Sequence, residues 1–541
     1  MGKKIGIDLG TTYSCVSWLN DNGALEVIKN SEGANTTPSI VYFESDTNVV
    51  VGEQARAGAL FSPENVIERV KSLMGDKDYT IDMFGQAYSP SSISSLILRK
   101  LKKDAEEALG DTIDGAVITC PAYFGTIARG ATQKAAEDAD LTVYQIINEP
   151  TAAAFAYAYI KNEDVNKNVL IYDLGGGTFD CTLLRMDFNG DDKKLRVIAS
   201  NGDHTLGGKD WDAAFTNYVI DEFCNATGAD PDEMRSDAEC QSWFSENIEK
   251  AKKQLTAREA IKLPVSFQGN KQVMEITRDT FESVTEDLLN KTISLVDDML
   301  RAQNMTIDDV DEIILVGGST RMPQVTKILD ATYGKPLASF EPDEAVAKGA
   351  ALMAAFSDVY AGATADGGDA GDGTAAPSAS AGAAGGDDGS QGIAIKTEKG
   401  SISVDDITNK SYGVKVWDRT QQKNFVVNLI KTGTPKPCNG TNVGIMDLVI
   451  GGATSITVCE SDYNDDVIDY ENSVEVYTGP LSVPAGLDPD TPVEVVFDLN
   501  LSAVLSIKTV VNGIETNLVF DPTTGGASTE GSEQAKKLSL V

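Results

Sequence analysis

The feature that most constrains the fold is a motif that occurs twice. Ile7-Asp8-Leu9-Gly10-Thr11-Thr12 returns as Tyr172-Asp173-Leu174-Gly175-Gly176-Gly177-Thr178, with the two aspartates 165 residues apart. Each copy follows a short apolar run and reads as a buried strand entering a turn. Two similar units facing each other would set two Asp-x-Gly turns on opposite walls of one cleft. Glycines let backbone N–H groups close around phosphate oxygens, threonine hydroxyls add donors, and aspartates offer oxygen ligands to Mg2+ or its waters.

Two more glycine turns reinforce the reading. Leu315-Val316-Gly317-Gly318-Ser319-Thr320-Arg321 follows a third apolar run, and Leu206-Gly207-Gly208-Lys209-Asp210 forms a fourth turn. The G-x-x-x-x-G-K-[ST] phosphate loop occurs nowhere in the chain. One glycine turn is usually a plain tight turn; four of them, mostly after strands, point to a nucleotide. In the helical stretch 246–256, Glu249, Lys252, Lys253 and Thr256 share one face. That face is either a solvated salt-bridge surface or one lying over a nucleoside.

Charge excludes several classes. The 541 residues hold 82 acidic and 45 basic side chains, a net −37. A general nucleic-acid binder needs a basic face, and an anionic membrane attracts basic segments, so neither partner is expected. No apolar run reaches the ~18 residues of a membrane span. Asp8 interrupts the apolar run that a signal peptide would need. The seven cysteines show no Cys-x-x-Cys spacing, which predicts reduced thiols and a cytoplasmic chain rather than zinc sites or disulfides. His204 is the single histidine.

The 361–391 tract has no Leu, Ile, Val, aromatic or basic residue and cannot bury enough surface to order itself. It splits the chain. Residues 1–357 alternate apolar strands with helical patterns such as 92–109, capped by Ser92, an α/β composition. Residues 358–391 are expected to be a flexible linker. Residues 392–525 show short alternating runs punctuated by Gly, Pro, Asn and Asp, which predicts an all-β antiparallel sandwich. A disordered tail is expected over 526–541, and the acidic run 460–471 is expected to be a solvated loop.

At this point the front part closely resembles the ATPase domain of the seventy-kilodalton heat-shock chaperones, the DnaK-type family. The matching stretches are IGIDLGTTYSCV (5–16), ITCPAYF (118–124), IINEPTAAAFAYA (146–158), VLIYDLGGGTFDCTLL (169–184), GDHTLGGKDWD (202–212), IILVGGSTRMPQV (313–325) and EPDEAVAKGAA (341–351). The resemblance implies an actin-like, duplicated α/β fold of two lobes with ATP or ADP between them. It implies that Gly10, Thr11, Thr12 and Tyr13 form one phosphate loop and Gly175, Gly176, Gly177 and Thr178 the other. Asp8 and Asp173 would hold Mg2+ through its waters, with Glu149 beside them. Lys71 aligns with the family's catalytic lysine, Asp180 would accept a proton, and K+ would bind near these carboxylates. Gly207, Gly208, Glu249, Lys252, Lys253, Thr256, Gly317, Gly318, Ser319, Arg321 and Asp343 match adenosine-site positions. Pro121 and Arg129 resemble the relay to the substrate domain. Clients would be unfolded or extended polypeptides, with a J-domain co-chaperone and a nucleotide exchange factor as possible partners.

The chain departs from the family in four ways. Lys253 stands where an Arg usually stacks on adenine, and Lys lacks the planar guanidinium, so weaker nucleotide affinity is expected. The stretch from Lys71 to the helix at 92 is short. The nearest match to the docking linker is Ser401–Asp405, which predicts loose docking. The sandwich matches only faintly, beginning at Asp406-Ile407-Thr408, and a helical lid is not expected. The leading expectation is an ATP-dependent chaperone that hydrolyses ATP slowly and couples this to peptide affinity. The alternatives are an ATP-binding adaptor with a client-specific β domain and, more remotely, an actin-fold small-molecule kinase.

Overall fold

The computed structural model describes residues 2–58, 62–76, 78–161, 165–357, 393–397, 400–418, 420–445, 454–481, 491–518 and 529–540. The expected linker lies outside the described residues.

The repeated motif becomes two sheets with one strand order. In the first, Val143–Asn148, Ile113–Cys120 and Lys3–Asp8 run parallel, followed by antiparallel Tyr13–Leu19 and Leu25–Val27. In the second, Leu337–Ser339, Glu312–Val316 and Val165–Leu174 run parallel, followed by antiparallel Phe179–Asn189 and Asp192–Asp203. The central strands are buried, so their sequences read as apolar runs rather than alternations. Asp8 therefore ends one central strand and Asp173 stands one residue before the end of the other.

Helices Glu149–Ile160 and Ala345–Ala355 pack on each other between the sheets. Their alanine-rich faces allow unusually close approach. A Cβ at Gly349 would lie 1.7 Å from the Ala152 carbonyl oxygen, and one at Gly6 1.9 Å from the Ala351 nitrogen. Each lobe also carries a smaller part. On the first lobe, strands Ile40–Phe43, Asn48–Val51 and Val66–Glu68 lead into the helical turn Val70–Leu73, which holds Lys71. On the second lobe, helices Gly208–Thr227 and Ala238–Ala257 pack with the hairpin Ala260–Phe267/Asn270–Thr277 around Trp211, Phe215 and Phe223.

The back part is two antiparallel sheets, one of five strands and one of four, enclosing Val414, Val458, Val495, Phe497 and Ile507. This is the expected β sandwich.

Several boundaries differ from the sequence reading. Helix 92–109 begins at Pro90, because Ser89 rather than Ser92 is its cap and accepts a hydrogen bond from the Ser92 amide at 3.2 Å. Proline at the first helical position has no N–H to leave unpaired. The sandwich does not start at 392. Ile393–Thr397 and Gly400–Asp405 form a hairpin that extends the second lobe's sheet, with Ser401–Asp405 parallel to Asp192–Arg196. Ile402 and Val404 are buried there, so this stretch docks on the front part in place of the loose docking expected. Residues 529–540 are not a disordered tail: Thr529–Lys537 is helical and Ser539–Leu540 pairs with Asn48–Val49. Buried Ala535 and Leu538 supply the apolar contacts that a composition average hides.

The helix contact yields a stability prediction. Gly349→Val places a branched side chain against the Ala152 backbone and should lower stability by about 3 kcal/mol or more. A urea unfolding series followed by circular dichroism reads this as a lower midpoint.

Candidate nucleotide site

A cleft of about 860 Å³ opens between the lobes where the two motif copies meet. Of the residues singled out in the sequence, Asp8, Gly10, Thr11, Thr12, Tyr13, Lys71, Glu149, Gly175, Gly176, Thr178, Gly208, Glu249, Lys252, Lys253, Thr256, Gly317, Gly318, Ser319, Arg321 and Asp343 line it. Asp173 and Asp180 are buried just behind the lining. Gly177 and Gly207 form the backing of the second wall, where a Cβ on Gly207 would strike Gly177 at 2.4 Å.

The two loops touch. A Cβ on Gly176 would sit 2.1 Å from the Thr12 hydroxyl oxygen, and one on Gly177 2.5 Å from the Thr11 methyl. Backbone bonds fix the second loop: Gly175 N–H donates to Thr178 at 3.0 Å, and Lys209 N–H to Gly176 at 2.8 Å. The Ser319 hydroxyl donates to the Gly175 carbonyl at 2.9 Å, tying the third glycine turn to the second.

Beneath the loops lies a charged centre. The Lys71 ammonium donates to Glu149 at 2.5 Å, with both side chains largely buried. Thr119 donates to Asp8 at 3.1 Å. Burial, reinforced by Glu149, pushes the Asp8 carboxyl up to about 7. The same two causes hold Asp173 and Asp180 well above the ordinary carboxylate range. Burial would lower Lys71, but Glu149 and then Asp8 outweigh it and raise it. Four carboxyl groups, three of them buried, thus surround one lysine, and one Asp180 oxygen has no hydrogen-bond partner. The donor set calls for added positive charge.

The mouth is bridged by side chains from both lobes. Arg56 pairs with Glu249 at 3.0 Å, and Lys253 pairs with Glu249 at 2.9 Å. Tyr13 donates to Glu249 and accepts from Lys253, whose ammonium lies 4.8 Å from the Tyr13 ring centre. Lys253 and Arg56 hold the Glu249 carboxyl down at about 2 although burial opposes this. Lys252 is fixed by Asp212 at 2.8 Å and the Gly208 carbonyl at 2.9 Å. Arg321 pairs with Asp343 at 2.6 Å.

Sequence reasoning missed Arg56 and Asp212. Arg56 lies on a six-residue helix with no distinctive spacing. Asp212 was legible only as one turn beyond Gly208 on the helix that the fourth glycine turn opens. His204 is exposed, with its ring 5.4 Å from that of Tyr123. Cys15 and Cys181 are buried beside the loops, as small apolar residues would be. Glu460 departs from the solvated loop expected for 460–471: it accepts from the Thr126 amide at 3.0 Å, and burial raises its carboxyl.

The family model described as "Hsp70 protein" matches residues 4–366. A chaperone protein DnaK from Thermotoga neapolitana is 43% identical over 360 residues, covering 65% of this chain and 59% of its own. Similar proteins of that name come from Thermosipho africanus, 43% identical over 359 residues, 65% and 58% of the two chains, and from Halobacterium salinarum, 42% over 358 residues, 65% and 55%. The chain thus spans somewhat over half the length of these curated relatives. With a family model covering both lobes and the whole cleft, the chain belongs to the Hsp70 family.

Proposed function

We propose that this chain is an ATP-hydrolysing chaperone that holds extended polypeptide segments on its sandwich and links their affinity to the nucleotide. The observation that carries the reading is the buried centre where Lys71 and Glu149 meet Asp8, Asp173 and Asp180 beneath two opposed phosphate-type loops.

The residues suit Mg2+. Among the described residues no three acidic, thiol or imidazole groups converge on a bare ion, so Asp8 and Asp173 fit one held through its waters. Such an ion would supply charge neutralisation for the β- and γ-phosphates. The carboxylate excess accommodates K+ as well. The protein's own work is positional. Thr11, Thr12 and the Gly175–Gly177 backbone would cradle phosphate oxygens. Lys71, aimed by Glu149, would offset charge on the γ-phosphate. Asp173 or Asp180 would orient water and take its proton. The step needs no covalent intermediate, and slow hydrolysis fits catalysis by positioning and electrostatics alone.

A buried polar chain leads from this centre to the sandwich. Asn148, next to Glu149, accepts from Arg129 and donates to Asp406 at 3.1 Å. Asp406 pairs with Lys436 at 3.0 Å, both nearly inaccessible. Arg129 also donates to the Phe124 carbonyl at 2.8 Å, in the loop that begins at Pro121. The sandwich exposes Val416, Trp417, Tyr463, Val467 and Val474, apolar side chains suited to an extended apolar segment. A J-domain co-chaperone and an exchange factor would act on this cycle, and the reduced thiols fit a cytoplasmic setting.

Single-turnover hydrolysis with Mg2+ and K+ tests the reading. Lys71→Ala should slow it about 100-fold or more while ATP still binds. Added apolar peptide should speed the unmodified chain; a rate that ignores peptide supports the adaptor. Asp406→Ala should abolish that stimulation and leave the basal rate within about twofold, because it cuts the relay and not the centre. Glu249→Ala removes the bridge across the mouth and should raise the nucleotide dissociation rate about tenfold, equivalent to ~1.4 kcal/mol, in a stopped-flow chase.

A further inference from the structure

The first lobe carries a surface that none of this uses. The strand Asn48–Val51 would leave one edge open, but Ser539–Leu540 covers it in parallel, with Ser539↔Asn48 and Leu540↔Val49 in register. The Ser539 amide donates to the Thr47 carbonyl at 2.8 Å. The preceding helix Thr529–Lys537 packs on Pro90–Leu109 and Gln86–Tyr88. Ala535 and Leu538 are 0% and 3% exposed and belong to the same core as Val49, Tyr88 and Leu96.

The polar contacts are matched to a helix that ends here. Arg99 donates to the carbonyls of Ala535 and Lys536 at 3.0 and 3.3 Å and also to that of Leu538. A guanidinium at a helix C-terminus satisfies carbonyls that the helix leaves unpaired and meets the negative end of its dipole. Lys536 pairs at 3.1 Å with Asp138, whose side chain is inaccessible and also pairs with Lys134. Main-chain pairing gives such a surface affinity, and the seats for alternate side chains give it selectivity.

We propose that Asn48–Val51, Gln86–Tyr88 and Pro90–Leu109 form a docking surface for a helix-then-strand peptide, and that its occupant is this chain's own segment Thr529–Leu540. The segment acts as a strap. The hairpin Ile393–Asp405 fastens one end of the sandwich to the second lobe, and Thr529–Leu540 fastens the other to the first. The small sheet runs Ser539–Leu540, Asn48–Val51, Ile40–Phe43, Val66–Glu68, and the last of these strands leads straight to Lys71.

The test uses the full chain, unmodified and as Ala535→Asp/Leu538→Asp, with hydrogen exchange and a fluorescein-labelled synthetic peptide of residues 527–541. In the unmodified chain both 529–540 and 48–51 should be protected. The double variant should lose at least tenfold protection in both segments while 345–355 is unchanged. It should then bind the peptide in trans, at least tenfold more tightly than the unmodified chain, whose surface is already filled. Arg99→Ala alone, which spares the apolar contacts, should raise exchange over 529–540 even if the double variant fails to fold. Free-peptide exchange rates over 529–540 in the unmodified chain would overturn the proposal, as would equal peptide binding by both chains or none by either. Protection that appears only with dimer formation in light scattering would assign the surface to a second copy and sink the strap.

Discussion

The buried pair of Lys71 and Glu149 is the interaction on which the site turns. It is one cation among four carboxyl groups, in a place where an unpaired charge costs several kcal/mol. Each neighbouring feature answers that imbalance. Asp8 takes a hydroxyl from Thr119, Asp8, Asp173 and Asp180 have raised proton affinities, and one Asp180 oxygen waits without a partner. Under the proposed function, a hydrated divalent cation would supply the positive charge that such a centre calls for. Mutual support between the two lobes then follows, since Lys71 comes from the turn after the small sheet of the first lobe and Asp173 from the central strand of the second.

Closure of the cleft depends on a different kind of contact. Glu249 gathers Arg56, Lys253 and Tyr13 at the mouth, joining the lobes by groups that remain partly wet. Lys253 lies largely in solvent and its pair is readily exchanged with water, whereas Arg56 and Glu249 are mostly shielded and hold more firmly. Under the proposed function, a buried centre below a partly wet mouth would let nucleotide enter and leave without disturbing the Lys71–Glu149 pair.

Much of this was legible in the sequence, and the failures have physical reasons. The duplicated Asp-Leu-Gly turn foretold two equivalent sheets because buried parallel strands leave continuous apolar runs, and glycine marks where loops crowd together. Glu249, Lys252, Lys253 and Thr256 shared a face as helical spacing required; whether that face was solvated or lay on a cleft was a tertiary fact. Arg56 left no signal, because its role comes from a partner 193 residues away. Residues 529–540 read as disordered because only Ala535, Leu538 and Leu540 are apolar, and their value depends on seats supplied by the first lobe. Ser401–Asp405 looked like a poor docking segment because it matched the family's docking linker only loosely. Its Ile402 and Val404 alternate as the inward face of a half-buried strand should, and that alternation was the better guide.

The net charge of −37 sharpens the question of what holds the sandwich in place. An acidic chain whose parts repel gains little from exposed ion pairs, and one such as Lys431–Asp466 lies within the sandwich and not across its contact with the front part. The contacts that specify the arrangement are the desolvated ones. Asp406 is enclosed by Lys436 and Asn148, and Glu460 sits on the amide of Thr126, the first residue of the helix that carries Arg129. A Cβ on Gly125 would lie 2.0 Å from the Glu460 carboxylate, so a larger residue there would displace that side chain from the Thr126 amide. Ile127, from the same helix turn, enters the sandwich core. The Asn148–Asp406 and Thr126–Glu460 bonds and the burial of Ile127 exist only in the docked arrangement, and separating the parts would break both bonds and expose Ile127. Position is thus encoded in a few buried polar groups and one apolar side chain, all close to the segment that begins at Asn148 and Glu149. Under the proposed coupling, a change at Glu149 would have one residue of backbone to travel before it reached Asn148 and, through it, Asp406.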